Sequence, residues 1–301
     1  MIRKPSDTQA LGLDLEKRVL KTAHLETLRG KVKITRLEAY TLADNHAFSS
    51  AKEEHLCHEQ CDRFLTVGAI EGSQVLIRKL KINLTKPKDV EAAFPFEAEG
   101  QLPFAIEEGY LDKIVVDKQA DATWLTMLAA KKSAVAKTIE TFNALKIEPE
   151  ILTTTPHALA AFEGIYGAEE QEVLVIYLGE SQSLIALVNQ GKLISSHSLA
   201  IGVDTLEKAY LEDQAREPEI LEKSFQDFDF SDDLELSPTL KEAVNKYKRE
   251  INWMVLSELK GVKSAYPIMV LGEGATLKGF ETLLFNELEL RSIDIKASEG
   301  M

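Results

Sequence analysis

Val173-Leu174-Val175-Ile176-Tyr177-Leu178-Gly179 is an apolar strand closed by a glycine, and it opens a plan that the chain has already used once. Ser183 to Val188 continues it, Gln190-Gly191-Lys192 turns, and Leu193 to Ile201 completes it. Near the N-terminus, Gly12-Leu13-Asp14-Leu15 opens a strand, Val19 to Leu25 makes a second, Arg29-Gly30-Lys31 turns, and Val32 to Leu42 makes a third. Each copy reads as a three-stranded meander whose turn uses a glycine for its positive φ. The copies differ where chemistry would sit: Tyr177 stands in place of Asp14, and the first copy has no counterpart of Gly179.

Around these copies the chain alternates strand and helix signals, which points to an α/β protein. After the first meander, Ala43 to Arg63 is polar with room for a short helix, and Phe64–Ala69 and Gln74–Ile82 read as a second hairpin about Glu71-Gly72-Ser73. Pro87 to Gln101 has helical composition, with a kink or break expected at Pro95, because an interior proline costs about 3 kcal/mol. Strands are expected at Tyr110–Val116 and Thr123–Ala130, and then Val135, Ile139, Phe142 and Leu145 keep helical spacing. Ile151–Thr155 and a helix from Pro156 to Tyr166 lead to the second meander. Asp204-Thr205-Leu206-Glu207 has the spacing of a capping box. Gln214 to Ser237 is an acidic run carrying Phe225, Phe228 and Phe230, read either as a solvated loop or as a docking segment. A long helix over Leu240–Leu259 and a strand-helix-strand ending (Ala265–Leu271, Leu277–Leu288, Arg291–Ile295) complete the chain.

Its 301 residues suffice for two domains or one bilobed unit. A formal net charge of −14 argues against sequence-independent binding of nucleic acid, which needs concentrated Lys and Arg, and favours a basic peptide or protein surface as partner. No apolar run approaches the ~18–20 residues of a membrane span, and Met1 to Ala10 lacks the hydrophobic core of a signal peptide. Two cysteines make no disulfide framework, and the expected compartment is the cytoplasm.

The duplication resembles the actin-like ATPase fold, in which two homologous lobes clasp a nucleotide. The segments between the copies narrow the likeness. Gly72-Ser73-Gln74-Val75-Leu76-Ile77-Arg78-Lys79-Leu80, Pro95 to Phe104, Ile106-Glu107-Glu108, Thr155-Pro156-His157-Ala158-Leu159-Ala160 and Val270 to Phe280 are similar, in that order, to the PilM family of type IV pilus assembly proteins. The division protein FtsA and the cytoplasmic domain of GspL-type secretion subunits are further relatives of that family. The resemblance implies a first lobe over residues 1–170 with a small α/β subdomain inserted at about 66–147, and a second lobe over 171–301. It also implies a cytoplasmic scaffold of a type IV pilus or type II secretion platform, peripheral to the inner membrane. Such a scaffold grips the tail of a PilN-like or GspM-like membrane protein, contacts a secretion ATPase, and meets the membrane only through partners. The alternatives are a working actin-like ATPase that binds ATP and Mg²⁺, and the cytoplasmic fragment of a GspL-type subunit.

Within that resemblance, Asp14 matches the aspartate near Mg²⁺, but Leu15-Glu16-Lys17-Arg18 replaces the small residues that let backbone amides cradle phosphate. Lys17 and Arg18 offer positive charge there, Glu16 opposes it, and an ordinary charged hairpin is the other reading. At the second hairpin Tyr177 replaces a carboxylate, and a phenol of pKa near 10 is neither ligand nor base at pH 7. Gly179 and Ser181 keep the turn, while Gly272, Gly274 and Gly279 match an adenosine loop or make a plain turn. Hydrolysis is expected to be absent or very slow, and no cofactor is expected, with ATP and Mg²⁺ as the alternative. The tail groove is expected at Phe94, Phe96, Leu102, Phe104 and Ile106, whose other reading is core packing. His55, Cys57, His58 and Cys61 have zinc-like residue types but no second ligand pair, so no metal is expected.

Overall fold

The computed structural model describes residues 9–16, 19–29, 31–43, 47–167, 172–216, 224–231, 237–258, 266–288 and 290–293. The chain forms two compact units, the first running to Ala158 and the second beginning at Leu159.

In the first unit, β1 (Gln9–Glu16), β2 (Val19–Leu28) and β3 (Lys31–Thr41) form the expected antiparallel meander. Helix α1 (Ala51–Arg63) follows, its first turn capped by the Ser50 hydroxyl, which accepts from the Glu53 amide. Strand β4 (Leu65–Ile70) then lies parallel to β1, and β8 (Ile151–Thr154) lies parallel to β4, giving the order β3-β2-β1-β4-β8. Between β4 and β8 the chain inserts β5 (Val75–Ile82), α2 (Pro87–Glu99), β6 (Gly109–Lys118), β7 (Thr123–Lys131) and α3 (Lys132–Ala144). The inserted strands make a separate antiparallel sheet, β5-β7-β6.

The expected hairpin of 64–69 with 74–82 is therefore not formed. Its first half is β4, a central strand paired with β1 and β8, and its second half is β5, paired with β7. The turn residues between them hand the chain from one sheet to the other through a 3-10 turn at Gly72–Gln74. A turn signal reports a change of direction, not a pairing partner.

Two apolar clusters hold this unit. Leu11, Leu13, Leu20, Cys57, Phe142 and Leu145 join the large sheet to α1 and α3. In β4, a methyl group on Gly68 would come to 2.9 Å of the Phe142 ring, so the glycine is what seats α3. On the inserted sheet, Val90, Phe94 and Ala98 of α2 pack on Leu80, Ile82, Leu125 and Met127. That i, i+4, i+8 stripe spans Pro95, which is itself exposed, and of the expected kink or break the break does not occur, α2 running on through the proline. Packing on both sides of the missing hydrogen bond keeps the helix together.

The second unit repeats the plan. Helix α4 (Thr155–Tyr166) leads to β9 (Glu172–Leu178), β10 (Ser183–Asn189) and β11 (Lys192–Leu199), and later to β12 (Tyr266–Leu271) and β13 (Leu290–Ser292). The sheet order is β11-β10-β9-β12-β13, with β12 parallel to both neighbours. Gln190 and Gly191 both have positive φ, 48° and 76°, as a two-residue turn matched to strand twist requires. Helices α5 (Val203–Arg216), α6 (Pro238–Glu258) and α7 (Phe280–Phe285) complete the unit.

Two further expectations are revised here. The acidic run does not present its aromatics for docking: Phe225, Phe228 and Phe230 are buried, packed edge-on with one another and with Tyr210, and Phe230 lies tilted against Phe280. The sequence around them is acidic, but the rings follow the hydrophobic effect inward; residues 217–223 and 232–236 of the run lie outside the described residues. Nor is Asp204 a capping residue, because it lies inside α5. The first amides of that helix, those of Val203 and Asp204, donate to the carbonyls of Gly179 and Glu180 at 3.0 and 2.9 Å. By contrast, the buried Asp213 carboxylate does cap a helix, accepting from the Ser237 hydroxyl and the Leu240 amide at the start of α6.

Candidate functional site

The β1–β2 hairpin ends in charge. Asp14 lies opposite Lys21 in the ladder and is half-buried. Glu16 is buried, with Lys21 Nζ 3.5 Å from its carboxylate. Lys17 and Arg18 lie outside the described residues.

The β9–β10 hairpin is built differently. Tyr177, at the end of β9, turns its ring across two glycines: a methyl group on Gly179 would come to 2.5 Å of Cε1, and one on Gly272 to 3.0 Å of Cε2. Gly272 has φ +91° and ψ −176°, a region open in practice only to glycine, and its bare face also lies against the Leu178 carbonyl. Gly274 is buried against the Leu178 side chain. Gly279, at φ +75°, packs on Ser231, just after Phe230, whose amide donates to the Lys278 carbonyl. The Gly179 amide closes the hairpin on the Gln182 carbonyl at 3.0 Å, and Gly202 fits against Glu180. Ser181 sits half-buried at the tip. Each glycine matched to a nucleotide loop thus has its open face covered by a side chain or carbonyl of its own unit.

The expected groove residues separate. Phe94 belongs to the α2 core, with Lys113 Nζ 4.6 Å from its ring centroid. Phe96 is 78% exposed on the outer face of α2. Leu102 packs on the α2 cluster, Ile106 is half-buried in a 3-10 turn, and Phe104 covers Gly109 at the start of β6. A groove does exist beside the inserted sheet, but other residues line it. A cavity of about 280 Å³ runs between β6 and β8, walled by Tyr110, Leu111, Leu128, Val135, Leu152 and His157. Among the described residues β6 and β8 are both edge strands. Tyr110 and Ile151 are exposed at 57% and 46% on those same strands. Sequence reading identified both strands but not that each is an edge, which depends on pairings made far along the chain.

The His55–Cys61 segment does not converge on a point. His55 is exposed, Cys57 is in the core, and His58 Nε2 lies 2.7 Å from the Leu145 carbonyl. The contact with the Cys61 sulfur and burial both push the Cys57 thiol pKa up. Among the described residues no group of three or more His, Cys, Asp or Glu is placed to hold a metal ion. A buried polar chain that sequence reading missed lies nearby: His24 to Gln60 (2.9 Å), Gln60 to Glu38 (2.7 Å), and Tyr40 to Glu38 (3.0 Å). Burial first, then the Glu38 carboxylate, raises the Tyr40 hydroxyl well above its ordinary value. The network satisfies groups that would each cost about 1–3 kcal/mol if left bare.

The family model of the type IV pilus assembly protein PilM matches residues 52–301. Among solved structures, the PilM-PilN type IV pilus biogenesis complex is 20% identical, covering 94% of this chain and 87% of that one, with a TM-score of 0.66. The cytoplasmic domain of EpsL, an inner membrane component of the type II secretion system of Vibrio cholerae, is 8% identical over 88% of this chain and 82% of that one, with a TM-score of 0.47. The ethanolamine utilization protein EutJ from Carboxydothermus hydrogenoformans is 14% identical over 97% and 88%, also at 0.47. No curated protein sequence matches significantly. The likeness to the first of these structures shows the fold, and with the doubled sheet order it is the expected α/β actin-like architecture.

Proposed function

Because the chain belongs to the PilM family of type IV pilus assembly proteins, we propose that it is a scaffold that holds the cytoplasmic tail of a PilN-like inner-membrane protein and carries a degenerate nucleotide site. The observation that carries the reading is the cavity between β6 and β8. Two edge strands border it, so an extended peptide laid there finds unpaired backbone amides and carbonyls, while Leu111, Leu128 and Val135 offer pockets for its side chains. Main-chain bonds supply affinity and the pockets supply choice of sequence. On this reading the protein is cytoplasmic and reaches the inner membrane by way of the tail. Among the described residues no helix is long and apolar enough to cross a bilayer.

The nucleotide part of the proposal is supported by Tyr177. Its ring covers Gly179 and Gly272, and the first amides of α5 are taken by hairpin carbonyls, so neither the Tyr177 position nor these α5 amides are offered to Mg-ATP. These residues do not fit the group that the fold family carries. Asp14 is the feature that favours the other reading, a working ATPase.

Titration calorimetry with a synthetic peptide of a PilN-like cytoplasmic tail tests the groove. Tyr110→Asp should weaken binding at least tenfold, since it puts a charge on the rim, and unchanged affinity in a folded variant would remove the assignment. A melt with millimolar Mg-ATP tests the site. A ligand at a hundred times its Kd adds about 2.7 kcal/mol, so a raised midpoint that Asp14→Ala abolishes would establish an ATP site and end the degenerate reading.

A further inference from the structure

A chain of net charge −14 nevertheless concentrates bases in one stretch, along the edge strand β5 on both of its faces and at the start of α2. From Arg78 to Lys88 there are Arg78, Lys79, Lys81, Lys86 and Lys88, and no acidic residue. All five are exposed, and among the described residues none of them is ion-paired with a carboxylate. Arg78 turns one Nη toward the Ile77 carbonyl at 2.9 Å, and Lys81 Nζ lies 5.7 Å from the Trp124 ring centroid. In the loop that joins β5 to α2, amid these bases, Leu84 is 39% exposed, and its carbonyl is held by the Thr123 hydroxyl at 2.8 Å. The loop is thus fixed by its backbone while its apolar side chain faces out. The first turn of α2 opens in the same patch, with Pro87 at its start and no side-chain cap, so its positive end adds to the field. The adjoining end of the β6–β7 hairpin carries Asp117, Lys118 and Asp121, a net charge of −1 against the five bases. Asp89 follows Lys88, and Glu91 beyond it is engaged by Lys113 at 2.8 Å.

Lysines on an edge strand are a standard guard against unwanted pairing, and that accounts for Lys79 and Lys81 on β5. It does not account for Lys86 and Lys88, which lie past the strand, or for an outward leucine among them. We propose that this loop and strand form a contact site for an anionic lipid bilayer, with the bases meeting headgroup phosphates and Leu84 entering the interface. Basic clusters of this size bind anionic bilayers, each base brought to the surface multiplying binding about fivefold. The negative charge elsewhere on the chain acts weakly beyond a Debye length of about 8 Å. The site is distinct from the tail groove, so it stands or falls separately.

The test is co-sedimentation of the full chain with vesicles of phosphatidylcholine alone or mixed with phosphatidylglycerol. Binding is expected only to the anionic vesicles, falling steeply with salt. Replacing Lys79, Lys86 and Lys88 together by serine should lower it about a hundredfold, and Leu84→Ser about tenfold, with the tail-peptide affinity of both variants unchanged. Equal binding to the two vesicle types, or a triple variant that binds like the parent, would overturn the assignment. So would indifference to both vesicles combined with lysine-dependent retention on an acidic protein, which would make the patch a protein surface.

Discussion

The two five-stranded sheets share one strand order, yet their hairpin tips have opposite characters. The first hairpin ends in polar residues, Asp14, Glu16 and Lys21, and the glycine within its first strand has room. A methyl group on Gly12 would meet nothing closer than 3.8 Å. The second tip is a packed joint, where Tyr177 and Leu178 fill the space beside Gly179, Gly272 and Gly274. Its strands β9 and β10 are almost wholly buried, whereas β3 is largely exposed. Duplication has preserved topology while the strand ends have diverged, one carrying charged side chains and one packed around a tyrosine ring. The backbone plan of a fold does not preserve its chemistry.

The largest expected effect that separates the tips is Gly272→Ala. It forces a side chain into a glycine-only backbone region and against the Leu178 carbonyl, and should destabilise by about 3 kcal/mol in denaturant melts. Gly12→Ala, in contrast, should change stability by under about 0.5 kcal/mol, and equal losses at the two positions would erase the distinction.

Next in size, Tyr177→Ala removes a half-buried ring and should cost about 2 kcal/mol. Asp14→Ala should cost less than about 1 kcal/mol, because it removes a small, half-buried side chain and leaves the backbone ladder with Lys21 in place. A greater loss at Asp14 than at Tyr177 would mean that the first tip is the structural one.

The smallest effect is in pH dependence, where the two units carry carboxylates shifted in opposite senses. Burial raises the pKa of Glu163 in α4, against the opposing hydrogen bond from the Gly191 amide at 2.9 Å. The folded state therefore favours its protonated form, and the associated stability is full below the ordinary carboxylate pKa of about 4.3 and lost as pH rises through the raised value. Glu163→Gln keeps the acceptor for Gly191 and should raise Tm at pH 7 slightly while leaving it unchanged at pH 4. Hydrogen bonding to Lys146 lowers the pKa of Glu54 in α1, so its small contribution is present above the ordinary carboxylate pKa and lost as pH falls through the lowered value. A Glu163→Gln melt that tracks the parent at every pH would contradict the burial account.

Local pattern alone settled the strands of both meanders, the turn at Gln190-Gly191, the long helix α6 and the helix after β7, because alternation, helical spacing and turn chemistry act over a few residues. It also settled the family, since the order of short motifs survives along the chain. Pairing was out of its reach. That β4 joins the large sheet and β5 the small one, that β6 and β8 are edges bordering a groove, and that Tyr177 lies across Gly179 and Gly272 were decided only by tertiary structure. The same cause explains why Phe94 and Phe225 went inward while Phe96 stayed out. A side chain's polarity is written in its own residue, but the neighbour that covers it comes from a distant part of the chain, and only the assembled core selects it.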